Sequence, residues 1–274
     1  GAYPNCVEVN LGAVESNVRF LLSHTNRPLL AVVKADAYGH GAVEVGKAAL
    51  VAGASWLGVA RYGEARVLRN AGITAPILVL GMATADEVDE AIASGVTLNM
   101  HSFEAAELYS QRGKAAGKPV LVHLKVNTGM NRLGVLPEEV VPLAKRANEL
   151  GGIHIDGMFS HYANATTPGD PFTPIQTARM KKAVDAITQA GLLPKWVHLA
   201  NSAGSYYEPD GYFNMVRSGS AVTGLAFRDN TPYPSTMRHA FEWKVLLAAC
   251  KFVPKGGGIG YGQTYTLQQD GYIG

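Results

Sequence analysis

The sequence predicts an α/β protein: a (β/α)8 barrel of the TIM type over residues 1–230, followed by the start of a second, mainly β domain over 231–274. Three observations carry this. Short apolar runs alternate with stretches of helical period eight times within about 220 residues. Glycines stand just past the helical stretches, where a left-handed cap is wanted. Polar residues capable of chemistry recur where the apolar runs end, and barrel enzymes assemble their sites at those strand ends.

The strands are expected at 29–33, 56–60, 76–80 and 97–100, then at 120–126, 155–159, 196–199 and 213–216. Each is a short apolar run of the kind a buried strand shows. Helices are expected between them, at 41–52, 64–71, 85–93, 103–116, 137–150 and 177–190. Gly53, Gly72, Gly95, Gly117, Gly151 and Gly191 close them. An open doubly wound sheet would alternate in the same way, but with a G-x-G-x-x-G turn after its first strand. The residues there read KADAYGHG, and no Walker loop occurs. Beyond about residue 230 only one or two strands are legible, too few for a sheet with its own core.

Composition narrows the function classes. The chain has 274 residues, 47% of them hydrophobic, enough for one large core or two smaller ones. A formal net charge of +2 and scattered basic residues leave no footprint for nucleic acid or an anionic membrane. No apolar segment is long enough to span a bilayer, and the start lacks the basic-then-apolar pattern of a signal peptide. A soluble, cytoplasmic protein is expected. Cys6 and Cys250 would then be reduced thiols rather than a disulfide.

The most telling stretch is 31–41, AVVKADAYGHG. An apolar, β-branched run delivers Lys34 where a buried strand ends, and Tyr38 and a glycine-flanked His40 follow. An amine at the mouth of an apolar strand is partly desolvated, the state a Schiff-base lysine needs. Read on periodicity alone, it is a strand ending in a solvated lysine. Other strand ends carry Lys125, Asn127 and Arg132, then His161, then His198, Asn201 and Ser202, then Arg217, Ser218 and Gly219. Each has a bland reading: His198 as a core histidine, Arg217 as a surface partner for a carboxylate. Their recurrence at five of eight strand ends argues for convergence. His40, His101 and His123 fit no metal-binding spacing. Tyr206, Tyr207 and Trp243 are expected to pack rather than bind ligand.

AVVKADAYGHG resembles the pyridoxal-phosphate lysine motif of the alanine racemase family. VNTGMNRLG (126–134), SHYANA (160–165), HLANSAG (198–204), NMVRSG (214–219) and GYGQTYT (260–266) are similar to that family's later motifs, in the right order. The resemblance covers nearly the whole chain. It implies a fold-type III pyridoxal 5'-phosphate enzyme that interconverts L- and D-alanine and so supplies D-alanine for cell-wall peptidoglycan.

By that resemblance Lys34 would hold the cofactor, and Tyr38, Ser202, Gly219 and Ser220 would bind its phosphate. Ser202 sits at a strand-to-helix turn, where backbone N–H groups and the helix dipole favour an anion. Arg132 would approach the cofactor's phenolic oxygen and the substrate carboxylate. Lys125 would be carbamylated, its new carboxylate orienting Arg132. Arg217 would face the pyridine nitrogen and, as a permanent cation, leave it unprotonated. Asn201 and His198 would support the phosphate and Arg217 respectively. Lys34 and Tyr261 would be the two bases, Tyr261 reaching in from a second subunit of a homodimer. Free phenols titrate at about 10, so a neighbouring cation must help one act near neutrality, and His161 is expected in that role.

Two departures stand out. After Arg217 the run is RSGSAVTG, with Ser220 and Thr223 where the family usually has an aliphatic residue and a tyrosine. The family's later phosphate-contacting tyrosine has no counterpart, so the sequence is expected to represent part of a longer racemase. That keeps two alternatives open: a racemase of serine or another small amino acid, and a non-catalytic barrel that binds pyridoxal phosphate.

Overall fold

The computed structural model describes residues 5–225 and 235–274. They fall into two compact units, one of Asn10–Ala240 and one combining Asn5–Val9 with Phe241–Gly274. The domain border expected at 230/231 lies outside the described residues.

The first strand, β1 (Asn5–Val9), belongs to the smaller unit. The larger unit begins with α1 (Leu11–Thr25), β2 (Leu29–Val32), α2 (Lys34–Gly39), α3 (Ala42–Val51), β3 (Trp56–Val59) and α4 (Tyr62–Asn70). It continues through β4 (Ile77–Val79), α5 (Ala85–Ser94), β5 (Leu98–Met100), α6 (Phe103–Ala116), β6 (Val120–Lys125) and α7 (Val140–Leu150). It closes with β7 (Ile153–Phe159), α8 (Phe172–Gln189), β8 (Trp196–His198), α9 (Gly204–Tyr207) and β9 (Val216–Ser218).

The strands form two parallel runs, β4-β3-β2-β9 and β5-β6-β7-β8. A parallel bridge from Leu78 to Thr97 joins β4 to the residue entering β5. On the other side Arg217 N–H donates to the Ala200 carbonyl at 3.1 Å, so β9 meets the chain leaving β8. Eight parallel strands linked through helices are the barrel that the alternation predicts.

Burial explains why these runs become strands. β2, β3, β4 and β5 are buried at every residue, as parallel strands covered on both faces must be. Leu30, Val32, Trp56, Leu78 and Met215 pack together as a core cluster. Burying each such side chain contributes about 1.5–3 kcal/mol. Helix starts are fixed by side chains: Thr84 and Glu87 form a capping box on α5, and Ser102 Oγ caps α6. All six glycines expected at helix ends have positive φ.

Three elements differ from expectation. β9 spans Val216–Ser218 rather than 213–216, because Phe213 is left-handed at φ 48° and Asn214 Oδ1 accepts the Val197 N–H at 2.7 Å. Arg217 therefore lies inside a strand and is buried, not at a strand end. α8 begins at Phe172 rather than 177, since Pro174 is tolerated in a first turn. α1, whose N-cap Asn10 accepts the Ala13 N–H at 3.0 Å, has no counterpart among the expected helices.

The smaller unit holds more strands than expected. β1 pairs with β10 (Phe241–Val245), β11 (Lys251–Val253) with β14 (Gly271–Ile273), and β12 (Gly258–Ile259) with β13 (Tyr265–Thr266), all antiparallel. Their two- to five-residue lengths, broken by glycines, hid them from periodicity. None of the unit's described residues is buried. Trp243, expected to pack, is exposed, and Cys6 and Cys250 are exposed and free.

Candidate active site

β2 runs into an unusual turn. Ala35, Asp36, Ala37 and Tyr38 are all left-handed, with φ of 50°, 54°, 53° and 57°. For a residue with a Cβ that conformation costs about 1–2 kcal/mol, so the turn persists only where its surroundings fix it. Glu64, in the first turn of α4, is the main restraint. Its Oε1 accepts the Ala35 N–H at 2.6 Å, while Oε2 accepts Ala60 N–H at 2.6 Å and Arg61 N–H at 3.1 Å. Asp36 Oδ1 accepts the Ala42 N–H at 2.7 Å and ties the far end of the turn to α3. Lys34 Nζ is thereby held 6.0 Å from the centroid of the Tyr38 ring.

Both side chains line a cavity of about 370 Å³ at the C-terminal ends of the strands. Lys125 ends β6, and Arg132 sits on the loop beyond it. His161 follows β7, Asn201 and Ser202 follow β8, and Arg217, Gly219 and Ser220 come from β9 and its exit. All of these line the same cavity. Of the expected site residues in the barrel, only His198 does not. It is fully buried behind Arg217. Tyr261 belongs to the smaller unit and is fully exposed.

Arg217 is the hub of the buried polar groups. Its Nη1 donates to His198 Nδ1 at 2.7 Å, and its Nη2 to the Ser160 carbonyl at 2.7 Å and to His161 Nδ1 at 2.8 Å. The Phe159 ring carries two cations on its face, Lys125 Nζ at 4.5 Å and Arg217 Cζ at 5.4 Å. Behind this wall Thr128 Oγ1 lies 2.7 Å from Ser160 Oγ, and Gln176 Nε2 donates to Thr128 Oγ1 at 3.2 Å and to the His161 carbonyl at 3.0 Å.

Lys34, Lys125, Arg132 and Arg217 line the cavity, and among the described residues no carboxylate does. Burial holds Lys125 well below the ordinary lysine range, with Arg217 and Arg132 adding to the effect. Arg217 is pushed down to about 9 by burial and then by Arg132, which still leaves it charged at neutrality. Burial pushes Tyr38 up, partly offset by Arg217, so its phenol keeps its proton and remains a donor. His161, expected as a cation, is held neutral instead. Desolvation lowers it most, and Arg217, Lys125, Arg132 and Lys34 all lower it further. Because Arg217 donates to its Nδ1, a neutral His161 carries its proton on Nε2.

Ser202, Gly219 and Tyr38 form one end of the cavity. Ser202 Oγ accepts the Gly219 N–H at 2.9 Å and the Ala221 N–H at 3.4 Å. A Cβ on Gly219 would overlap Tyr38 Oη. The helix expected to aid anion binding after Ser202 contributes little. α9 has four residues, and Asn201 Oδ1 already accepts its first N–H, that of Gly204, at 2.9 Å. Asn201 thus shapes the turn and lines the cavity together.

Glu64, Phe159 and Gln176 were missed by sequence reasoning. The one available sign was an acid placed four residues after the second apolar run, where a helix starts. Among the described residues, no group of three or more His, Cys, Asp or Glu could hold a metal, and no helix is long and apolar enough to cross a membrane.

The comparisons with known proteins point one way. Residues 9–227 match the family model for the alanine racemase N-terminal domain. An alanine racemase of Symbiobacterium thermophilum is 40% identical over 267 residues, covering 97% of this chain and 71% of the relative. The crystal structure of an alanine racemase from the D-cycloserine producer Streptomyces lavendulae superposes with a TM-score of 0.91 at 33% identity, over 99% of this chain and 73% of that one. A histidine racemase of Leuconostoc mesenteroides superposes at 0.85 with 27% identity, over 98% of this chain and 72% of that one.

Proposed function

The chain belongs to the alanine racemase family, and from that premise we propose that it binds pyridoxal 5'-phosphate on Lys34 and racemises alanine with Lys34 and Tyr261 as its two bases. One observation carries the reading: a lysine opens into a cavity lined by two arginines and a second lysine, with no carboxylate among the described residues, beside a cradle where Gly219 leaves room for Tyr38. That donor set fits a phosphate-bearing cofactor with an anionic oxygen on its ring and a carboxylate substrate.

Bound pyridoxal phosphate supplies an electron-withdrawing ring that acidifies the α-hydrogen of an amino acid joined to it. The residues supply the rest. Tyr38, Ser202, Gly219 and Ser220 would hold the phosphate, with Asn201 fixing the turn beneath it. Arg132 would bind the phenolic oxygen and the substrate carboxylate. Arg217 would donate to the pyridine nitrogen without giving up a proton, which limits charge delocalisation and favours prompt reprotonation at the α-carbon. Lys34 would exchange that proton on one face and Tyr261 on the other. His161, neutral and protonated on Nε2, would serve as a donor rather than a charge. Burial, with Arg217 and Arg132, holds Lys125 well below the ordinary lysine range and so favours the free amine. That amine would add to carbon dioxide with loss of a proton, and the resulting carbamate would orient Arg132.

Because Tyr261 is fully exposed, its partner site is proposed to lie on a second copy in a two-fold homodimer. D-alanine made in the cytoplasm would feed peptidoglycan. The test is to add pyridoxal phosphate, follow the visible absorbance, reduce with borohydride and map the modified peptide. Exchange at the α-carbon in deuterated water is then measured with alanine, serine and histidine, the last because a histidine racemase shares the fold. An adduct on Lys34 with alanine exchange supports the reading. An adduct without exchange leaves a cofactor-binding barrel, and no adduct overturns it.

A further inference from the structure

A line of hydrogen bonds runs from Arg217 into the barrel. Arg217 Nη1 lies 2.7 Å from His198 Nδ1, and His198 Nε2 lies 2.9 Å from His123 Nδ1. Both imidazoles are fully buried. A guanidinium has only donors, so His198 Nδ1 must present a lone pair. In a neutral imidazole the proton then sits on Nε2, where His123 Nδ1 accepts it. His123 in turn carries its own proton on Nε2, and that atom is buried with no hydrogen-bond partner among the described residues. Each bond direction follows from the one before, starting at Arg217. Burial and Arg217 keep both rings neutral, His123 being pushed down to about 3 and His198 held well below the usual histidine range.

A buried orphan N–H is costly, and an apolar side chain in that place would avoid it. The fold nevertheless makes a fitted slot for His123. The register of β6 against β7 slips between Val122 and His123. A Cβ at Gly157 would stand 2.6 Å from three of the ring's atoms. The Trp56 ring packs with its centroid 5.1 Å away, and Phe159 stacks on His198 at 5.1 Å and 7°. Without an acceptor at position 123, His198 loses one of the two bonds that fix its tautomer, and its Nε2–H would be buried without a partner. The wrong tautomer sets an N–H against the Arg217 N–H.

We propose that His123 is a positioning residue for Arg217: by accepting the His198 Nε2–H, it holds the His198 Nδ1 lone pair toward Arg217 and so keeps the guanidinium aimed at the cavity. His123 touches neither cofactor nor substrate. The proposal rests on the reading that the cavity receives pyridoxal phosphate with Arg217 at the ring nitrogen.

The test uses the chain labelled with 15N-histidine, first without cofactor and then with pyridoxal phosphate. NMR is expected to show a bare Nδ1 and a protonated Nε2 on both His123 and His198. In His123→Phe, His198 should become a mixture of tautomers, and the dissociation constant for pyridoxal phosphate should rise about tenfold. His123→Asn places an amide oxygen where Nδ1 was, and should keep the His198 tautomer with affinity within about twofold of wild type. Circular dichroism checks the fold of each variant, and if the Phe variant does not fold, the wild-type and Asn tautomers decide. A proton on His198 Nδ1 in the wild type, or a folded His123→Phe chain with unchanged tautomer and affinity, overturns the proposal. A wild-type chain that takes up no pyridoxal phosphate instead sinks the functional reading, and the tautomers of the cofactor-free chain still decide the role of His123.

Discussion

At Gly219 the backbone passes so close to Tyr38 that an added Cβ would overlap the phenol oxygen. Gly219→Ala must therefore displace Tyr38 or open the turn, at about 1–3 kcal/mol of stability. The displaced phenol can no longer serve the phosphate. The expected outcome is a folded chain whose affinity for pyridoxal phosphate, titrated by absorbance, falls at least about tenfold; undiminished affinity would remove Tyr38 and Gly219 from the cradle. His123 and His198 give a pH dependence whose direction follows from burial. The unfolded chain binds protons on these rings at about 6.5, whereas folded His123 does so only at about 3 and folded His198 is likewise depressed. Unfolded chains thus bind more protons as pH falls below about 6.5, and the barrel loses stability there, not at higher pH. By pH 5 His123 alone should withdraw about 2 kcal/mol, and the buried, likewise depressed His198 and His161 add to the loss. Urea unfolding between pH 7 and 5 measures this, with His123→Asn reducing the slope. A flat profile would mean that one or both rings are charged in the folded state.

α2 is where element and function meet, because its left-handed turn is what sets Lys34 against Tyr38. The turn leans on the Glu64 carboxylate, which binds the N–H groups of Ala35, Ala60 and Arg61 together. Glu64→Gln replaces a charged acceptor by an amide whose single oxygen can stand in for Oε1 or for Oε2 but not for both. It should cost about 2 kcal/mol in urea unfolding and slow the formation of the borohydride-fixed adduct on Lys34. An equal loss of stability without any change in adduct rate would separate Glu64 from the site. The sequence carried the barrel strands well, because β2 to β5 are buried on both faces and leave continuous apolar runs. β9 was misplaced because its neighbours Phe213 and Met215 are also apolar, and only the left-handed Phe213 and the Asn214 side-chain bond show where extension begins. The cavity residues could be named from motif resemblance. Their protonation could not, since the neutrality of His161 comes first from burial and then from cations on other elements. Nor could α2, because nothing in KADAYG forbids an ordinary helical turn and the restraint lies on α4.

For the molecule as a whole, the decisive fact is that the two proposed bases belong to different units. Lys34 lines the barrel cavity, whereas Tyr261 lies in the smaller unit with its side chain fully exposed. If a second copy supplies the tyrosine, each complete site draws on two chains, and mixing variants should restore what neither has alone. Lys34→Ala chains have no amine to hold the cofactor, and Tyr261→Phe chains lack the second base. In a mixed dimer one site carries both lesions and the other carries neither. Random reassortment of equal amounts makes half the dimers mixed, so about a quarter of the wild-type exchange rate should return. The rate is read by α-deuteration of alanine after dissociating and reassociating the two variants together, with each variant alone as control. No recovery in a mixture shown to contain hybrid dimers would place Tyr261 in its own chain's site, and undiminished exchange by Tyr261→Phe alone would place it outside the chemistry. Recovery of about a quarter cannot arise from either arrangement, because an unshared site keeps its lesion whatever its neighbour carries.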